Sequence, residues 1–164
     1  YKLRPATGEP KHAKQTGIVV RDHFGTRSYD TKKAELLLSP ADLSLVGAPA
    51  APAPGTADHF QCYKVKLSKG QALFPRTQAT AADEFEDRFY DGFAPRRLCF
   101  PVDKDGAEVV DPTSVITCYR LRRAHQQPVH EKILGQIHTA DGFGDLRIDT
   151  NKERDLCLPA TLVP

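Results

Sequence analysis

A chain of 164 residues with a formal net charge of +2 is long enough for one ordinary domain or a few small stacked modules. It is too close to neutral to carry the field that drives non-specific binding to nucleic acid or anionic lipid. No run approaches the roughly 18 apolar residues of a membrane-spanning helix, and none is polar enough for outright disorder.

The chain opens on YKLRPATGEPKH, which lacks the features of a signal peptide. With no Met anywhere, the chain is expected to be a mature or trimmed product. Tyr1-Lys2-Leu3-Arg4 alternates apolar and basic residues, the period of a half-buried strand. A second strand is expected from Gly17 (GIVV), a third at RSYD (27–30), and a fourth at LLLSP (36–40), stopped by Pro40. Lys32 to Leu38 is the best helical candidate and is short. Residues 47–57, GAPAAPAPGTA, have the composition of a semi-rigid extended linker.

The alternation returns at Tyr63-Lys64-Val65-Lys66-Leu67 and at Tyr119-Arg120-Leu121-Arg122. Further strands are expected at RFYD (88–91), LCFP (98–101), GQIH (from Gly135), LRID (146–149) and LCLP (156–159), the two LCxP strands stopped by Pro101 and Pro159 as the first is by Pro40. The stretch VDKDGAEVVDPTSV between the later blocks is turn-rich, with room for a short strand. Asp103, Asp105 and Gly106 form a fragment of a calcium loop whose other ligands are missing, so a plain turn is expected. No segment carries a sustained 3.6-residue stripe with caps, and the fold class is expected to be all-β.

The same elements recur in the same order. Segments 22–40, 83–101 and 141–159 align without gaps, each with Asp at its first position, Phe two later, Asp eight later, Leu fifteen later and Pro eighteen later. Tyr1, Tyr63 and Tyr119 precede them by 21, 20 and 22 residues. Two blocks at near-constant spacing indicate three diverged copies of a small four-stranded repeat. Repeat one is expected over 1–46, the linker over 47–58, repeat two over 59–114 and repeat three over 115–164.

Four cysteines allow three pairings. Cys62 and Cys118 precede the repeated Tyr, and Cys99 and Cys157 follow the repeated Leu. In the first copy Leu38 stands at the second Cys position and the chain starts where the first would fall, so with neither partner present there the pairs are expected to be Cys62–Cys99 and Cys118–Cys157. Loops of this length stabilise by about 4 kcal/mol each in the chain-entropy model. Side-chain parity sets the cysteines on the strand face opposite Tyr63, Val65 and Leu98, so the staples are expected on the outer face, away from the main apolar layer. There is no C-x-x-C and no His at ligand spacing, so neither a metal site nor a haem is expected. Disulfides imply an extracellular or cell-surface location.

No nucleophile elbow, phosphate loop, H-E-x-x-H or dinucleotide fingerprint occurs. No enzyme activity and no cofactor are expected. His23 aligns with Glu84 and Gly142 and is expected in an exposed turn; His125 and His130 sit in an expected loop with no ligand pattern. Asp22, Asp83, Asp141, Asp30, Asp91 and Asp149 stand where Asp accepts backbone N–H bonds in turns. Phe24, Phe85 and Phe143 are expected to anchor the core of each copy, the sharper alternative being a row of ligand-stacking rings. Lys2, Arg4, Lys64, Lys66, Arg120 and Arg122 recur at matching positions and are the binding candidates. Stacked copies could align them as a cationic row facing acidic polysaccharide or nucleic acid, against the plainer reading of a solvated face or a protected sheet edge, which the low net charge favours.

The pattern CYKVK, then D-x-F-G, then LC-x-P followed by V-D-K-D-G and D-P-T resembles an uncharacterised repeat family of secreted Gram-negative bacterial proteins. It spans residues 62–162 as two copies and residues 1–43 as a copy without cysteines. The resemblance implies an extracytoplasmic β module and brings no activity or catalytic residue with it. The expected function is a non-catalytic subunit of a self-assembling extracellular fibre or layer, forming a homo-oligomer or polymer. The alternative is a secreted module binding carbohydrate or another surface ligand. Neither a nucleic-acid partner nor a membrane span is expected.

Overall fold

The computed structural model describes residues 1–164 except for the side chain of Phe93. The fold is all-β. The strands are β1 (Ile18–Asp22), β2 (Gly25–Leu38), β3 (Ala41–Ser44), β4 (His59–Leu67), β5 (Thr77–Ala82), β6 (Asp87–Val102), β7 (Ser114–Arg123), β8 (Ile137–Asp141), β9 (Gly144–Ile148) and β10 (Asp155–Leu162). Among the described residues no helix is long and apolar enough to cross a membrane.

Every pairing is antiparallel. β1 pairs with β2, β2 with β4, β4 with β6, β6 with β7, β7 with β10 and β10 with β1. These six strands therefore close a ring, which removes their free edges. The ring also explains the core. Val20, Tyr29, Val65, Leu98, Val115 and Ala160 form one buried cluster, and each comes from a different strand of the ring. Burying an aliphatic side chain of this kind is worth roughly 1.5–3 kcal/mol, so the ring is held by its filled interior as well as by its ladders.

Several expected strand boundaries differ: Tyr1–Arg4 forms only a bridge at Lys2–Leu36, and Pro101 and Pro159 lie inside β6 and β10 instead of ending them. The third and fourth strands of the first copy run on as β2, and those of the second as β6. Lys32 to Leu38 lies in β2 and is not helical; pairing with β4 from Tyr29–Leu67 to Leu38–Phe60, with register shifts at Thr31/Lys33 and Ala34/Leu36, overrides its weak local preference. β6 serves three neighbours. Its first part pairs with β5 and its last part with β4, while β7 runs along its other side. Register shifts at Gly92/Pro95 and Pro95/Arg97 bend it between these tasks, as bulges do. A Cβ at Gly92 would stand 3.0 Å from the Thr77 carbonyl oxygen, so the close approach of β5 favours glycine there.

The disulfides are Cys62–Cys99, joining β4 to β6, and Cys118–Cys157, joining β7 to β10. Each links directly paired residues. They face away from the barrel interior, but they are not bare outer staples. Cys62, Cys99 and Cys118 are buried in a second apolar cluster with Leu36, Leu38, Phe60 and Ile116. Leu36 and Leu38 of β2 lie in register with Cys62 and Phe60 of β4, so the cysteine face acquires a core of its own.

The remaining strands form a separate sheet in the order β3-β8-β9. Its β8–β9 hairpin turns at Gly142–Phe143, where Asp141 Oδ1 accepts the Phe143 N–H at 2.8 Å. The same Asx bond recurs from Phe24 N–H to Asp22 at 2.9 Å and from Phe85 N–H to Asp83 at 2.8 Å. Asp30 and Asp149 likewise accept the N–H of Gly17 (3.2 Å) and Gly135 (2.7 Å). The aligned Phe residues do not all serve as core anchors. Phe24 packs edge-on to Phe74 and Tyr119 and Phe85 is half-buried, whereas Phe143 is 53% exposed, lying against Tyr1 with Lys104 over its ring.

Asp103 Oδ1 accepts the Gly106 N–H at 2.7 Å in a tight turn, with Asp105 and Gly106 both at positive φ. The Pro/Ala segment packs on its own chain. Pro52, Ala53 and Pro54 share a small cavity with Ser39, Pro40, His59 and Gly142.

Candidate functional site

The bend in β6 opens a cleft. β4 leaves β6 after the Lys64–Arg97 pair, and β5 joins it only at Gly92. Between these points Ala94, Pro95 and Arg96 line a cleft of about 730 Å³ with Lys64 and Val65 of β4, Arg120 and Leu121 of β7, and Lys152, Glu153 and Arg154 ahead of β10. The volume is of the size that takes a small ligand. Five of its lining residues are cationic.

Local folding explains how they meet. Alternation in β4 sends Lys64 to the face opposite Val65, whose side chain belongs to the core. Arg120 of β7 faces Asp155 of β10 in register, and Leu121 N–H donates to the Arg154 carbonyl at 2.9 Å, which carries residues 152–154 along the cleft. Beneath them Arg97, only 6% exposed, bonds to Glu35 at 2.7 Å and to Asp155 at 2.6 Å, and Arg96 stands 3.7 Å from Asp155. These acids are therefore spent on Arg96 and Arg97. Burial pushes Glu35 up, but the hydrogen bond from Arg97 and the charges of Arg97, Arg96 and Lys64 outweigh it and hold the carboxyl below its ordinary value. Glu153 is engaged by Arg88 at 3.1 Å. Among the described residues no ion pair engages Lys64, Arg120, Lys152 or Arg154.

Of the six basic residues singled out from the repeat, the cleft brings together Lys64 and Arg120. Lys66 pairs with Asp30 at 3.1 Å, Arg122 lies in register with Asp91, Arg4 lines a separate hollow with His12 and Gln61, and Lys2 bridges to Leu36. Arg96, Lys152 and Arg154 were missed. They stand outside the aligned basic positions, and only the β6 bend and the approach of residues 152–154 to β7 bring them in.

A second hollow of about 380 Å³ adjoins the cleft and shares Leu121, Lys152 and Glu153 with it. Its floor is polar and buried. Arg88 bonds to Glu86 at 2.9 Å and Glu153 at 3.1 Å, Tyr90 donates to Glu86 at 2.8 Å, and His130 contacts Glu86 at 2.9 Å and Thr150 at 2.7 Å. Burial raises Glu86, but the bonds from His130 and Tyr90 and the charge of Arg88 overcome it and leave the carboxyl lowered. Burial and the bond to Glu86 raise Tyr90. Glu86, His130 and Glu153 bring possible ligand atoms within 4.8 Å of one another, but Arg88 already fills the space between both carboxylates. The group works as a satisfied ion-pair network tying residues 128–153 to β6.

No protein-family model matches the chain, and no curated protein or solved structure matches it.

Proposed function

We propose that this protein is a secreted, non-catalytic binding module whose basic cleft holds an acidic polysaccharide. The convergence of Lys64, Arg96, Arg120, Lys152 and Arg154 on one cleft carries the reading. Four of the five, all but Arg96, make no ion pair among the described residues, and cations in a concave site attract anionic groups more strongly than their number suggests, because the walls focus the field. The apolar lining is Val65, Ala94, Pro95 and Leu121.

The two disulfides support placing the module in an oxidising extracellular setting. We further propose that it arose as three copies of one unit. The recurrent Asp–Phe turn bonds and the matching cross-strand disulfides of the second and third copies support that origin.

The test is affinity electrophoresis through polygalacturonate and dextran sulfate at graded salt. Lys64→Gln with Arg120→Gln is expected to weaken retention by at least about tenfold, since a hydrogen bond to a charged group is worth roughly 1.5–3 kcal/mol. Arg4→Gln serves as the control and is expected to be silent. Equal retention of all three proteins would overturn the reading.

Membership of an extracellular assembly is a second reading. The closed ring weakens it by removing strand edges. The open three-stranded sheet favours it, because β9 is exposed at all five residues.

A further inference from the structure

We infer that β9 pairs antiparallel with β9 of a second copy, about a two-fold axis passing through Leu146. The inference rests on the assembly reading and names its contact. β9 reads Gly144-Asp145-Leu146-Arg147-Ile148. It pairs with β8 on one side and ends the sheet on the other. The ladder begins at the Asp141–Gly144 pair closing a two-residue turn. Hydrogen-bonded pairs alternate from there with pairs that are not, so the backbone N–H and C=O of Asp145 and Arg147 point to the free edge.

The sequence of this edge is its own complement. A two-fold axis at Leu146 sets Asp145 opposite Arg147 of the second copy and Arg147 opposite its Asp145. Both are the outward-bonding positions, so each charged pair coincides with an exchange of main-chain bonds. Opposite charges directly across a strand pair stabilise it, and like charges destabilise it. Arg147 already gives one N–H to the Gly135 carbonyl, and its guanidinium has further donors.

The apolar row agrees. Leu43, Thr139 and Leu146 lie in one cross-strand register, with Leu43 and Leu146 each 48% exposed and Ile148 42%. Pairing would bring the two Leu146 side chains together and shelter an edge that natural sheets otherwise blunt with Lys, Pro or a bulge. β9 has no Lys, Pro or bulge; its protection is the charge on Asp145 and Arg147, which two-fold pairing turns into complementary pairs. Isologous contacts of this kind close at two copies.

The experiment is sedimentation equilibrium of the non-reduced full chain, with circular dichroism to confirm that each variant folds. The wild type is expected to dimerise. Asp145→Arg and Arg147→Asp, each alone, are expected to weaken self-association by about tenfold or more, because each faces like charges across the axis. Mixing the two variants restores complementarity at both pairs and is expected to yield a heterodimer, as the double swap is to yield a homodimer. An oligomer indifferent to all these changes would overturn the β9 contact and leave assembly by another surface. A wild type that stays monomeric would overturn both. A folded single variant that dimerises as the wild type does would overturn the pairing through Leu146.

Discussion

Replacing each disulfide by a pair of alanines separates two contributions to stability. The pairs Cys62–Cys99 and Cys118–Cys157 close loops of 37 and 39 residues, and the chain-entropy relation gives about 4 kcal/mol for each. The loops do not overlap, so the losses add to roughly 8 kcal/mol, comparable with the whole stability of an ordinary domain at about 5–15 kcal/mol. Reduction of the native protein is therefore expected to unfold most of it. The environments differ where the loop lengths do not. Cys62 and Cys99 are fully buried among Leu36, Leu38 and Phe60, while Cys157 is exposed. Removing two buried sulfurs adds a cavity cost of about 1 kcal/mol. Cys62→Ala with Cys99→Ala is thus expected to cost about 5 kcal/mol, and Cys118→Ala with Cys157→Ala about 4 kcal/mol. Urea unfolding followed by circular dichroism reads both; with a slope near ~2 kcal/mol per molar, the midpoints fall by about 2 M or more. A loss below about 1 kcal/mol for either pair would refute the loop argument. A larger loss at Cys118–Cys157, of which only Cys118 is buried, would refute the burial argument.

Three further outcomes follow from the buried charges and phenols. Arg97→Met leaves Glu35 and Asp155 facing each other without their guanidinium and is expected to cost about 3–5 kcal/mol in urea unfolding; a neutral result would show that the pair is not desolvated. Glu35 and Glu86 are both held below their ordinary values. The stability they add is full above the unfolded glutamate value of about 4.3 and is lost as pH falls through their folded values. The melting temperature is therefore expected to drop steadily from about pH 4.3 downward, less so in Glu35→Gln, and a flat profile to pH 3 would contradict the assignment. All five tyrosines are raised, Tyr1 by its bond to Asp141 and the others chiefly by burial, Tyr29 to about 12. Raised phenols contribute stability that is complete below about pH 10 and is lost as pH rises through their folded values. Phenolate absorbance is expected to lag behind that of the urea-unfolded chain and to rise together with alkaline unfolding; half ionisation near pH 10 in the folded protein would contradict it.

Much of the local structure was readable in the residues. The alternation at Tyr63–Leu67 and Tyr119–Arg122 marks β4 and β7, because a half-buried strand writes its two faces into adjacent letters. Aspartates two residues before a repeated Phe mark the three turns, because an Asx bond needs only local geometry. Closure of the ring was not readable. It depends on β1 meeting β10 through Val20–Leu162 and Arg21–Thr161, residues at opposite ends of the chain with no local signature. The cleft was half readable for the same reason. Lys64 and Arg120 carry the repeat's basic alternation, whereas Arg96, Lys152 and Arg154 reach the site through the bulges around Pro95 and the run along β7, which are tertiary facts. The cysteine face shows the limit of parity: it gave the correct side of the strands, but only the register of Leu36 and Leu38 beside Cys62 and Phe60 makes that side buried.

The cleft is tested most directly by amide chemical-shift mapping of the ¹⁵N-labelled, non-reduced protein with a short polygalacturonate. The expected perturbations lie at Lys64, Val65, Ala94, Arg96, Arg120, Leu121, Lys152 and Arg154, fade with added salt, and spare Arg4 and Leu146. An unchanged spectrum, or shifts confined to the β3-β8-β9 sheet, would contradict ligand binding at the cleft.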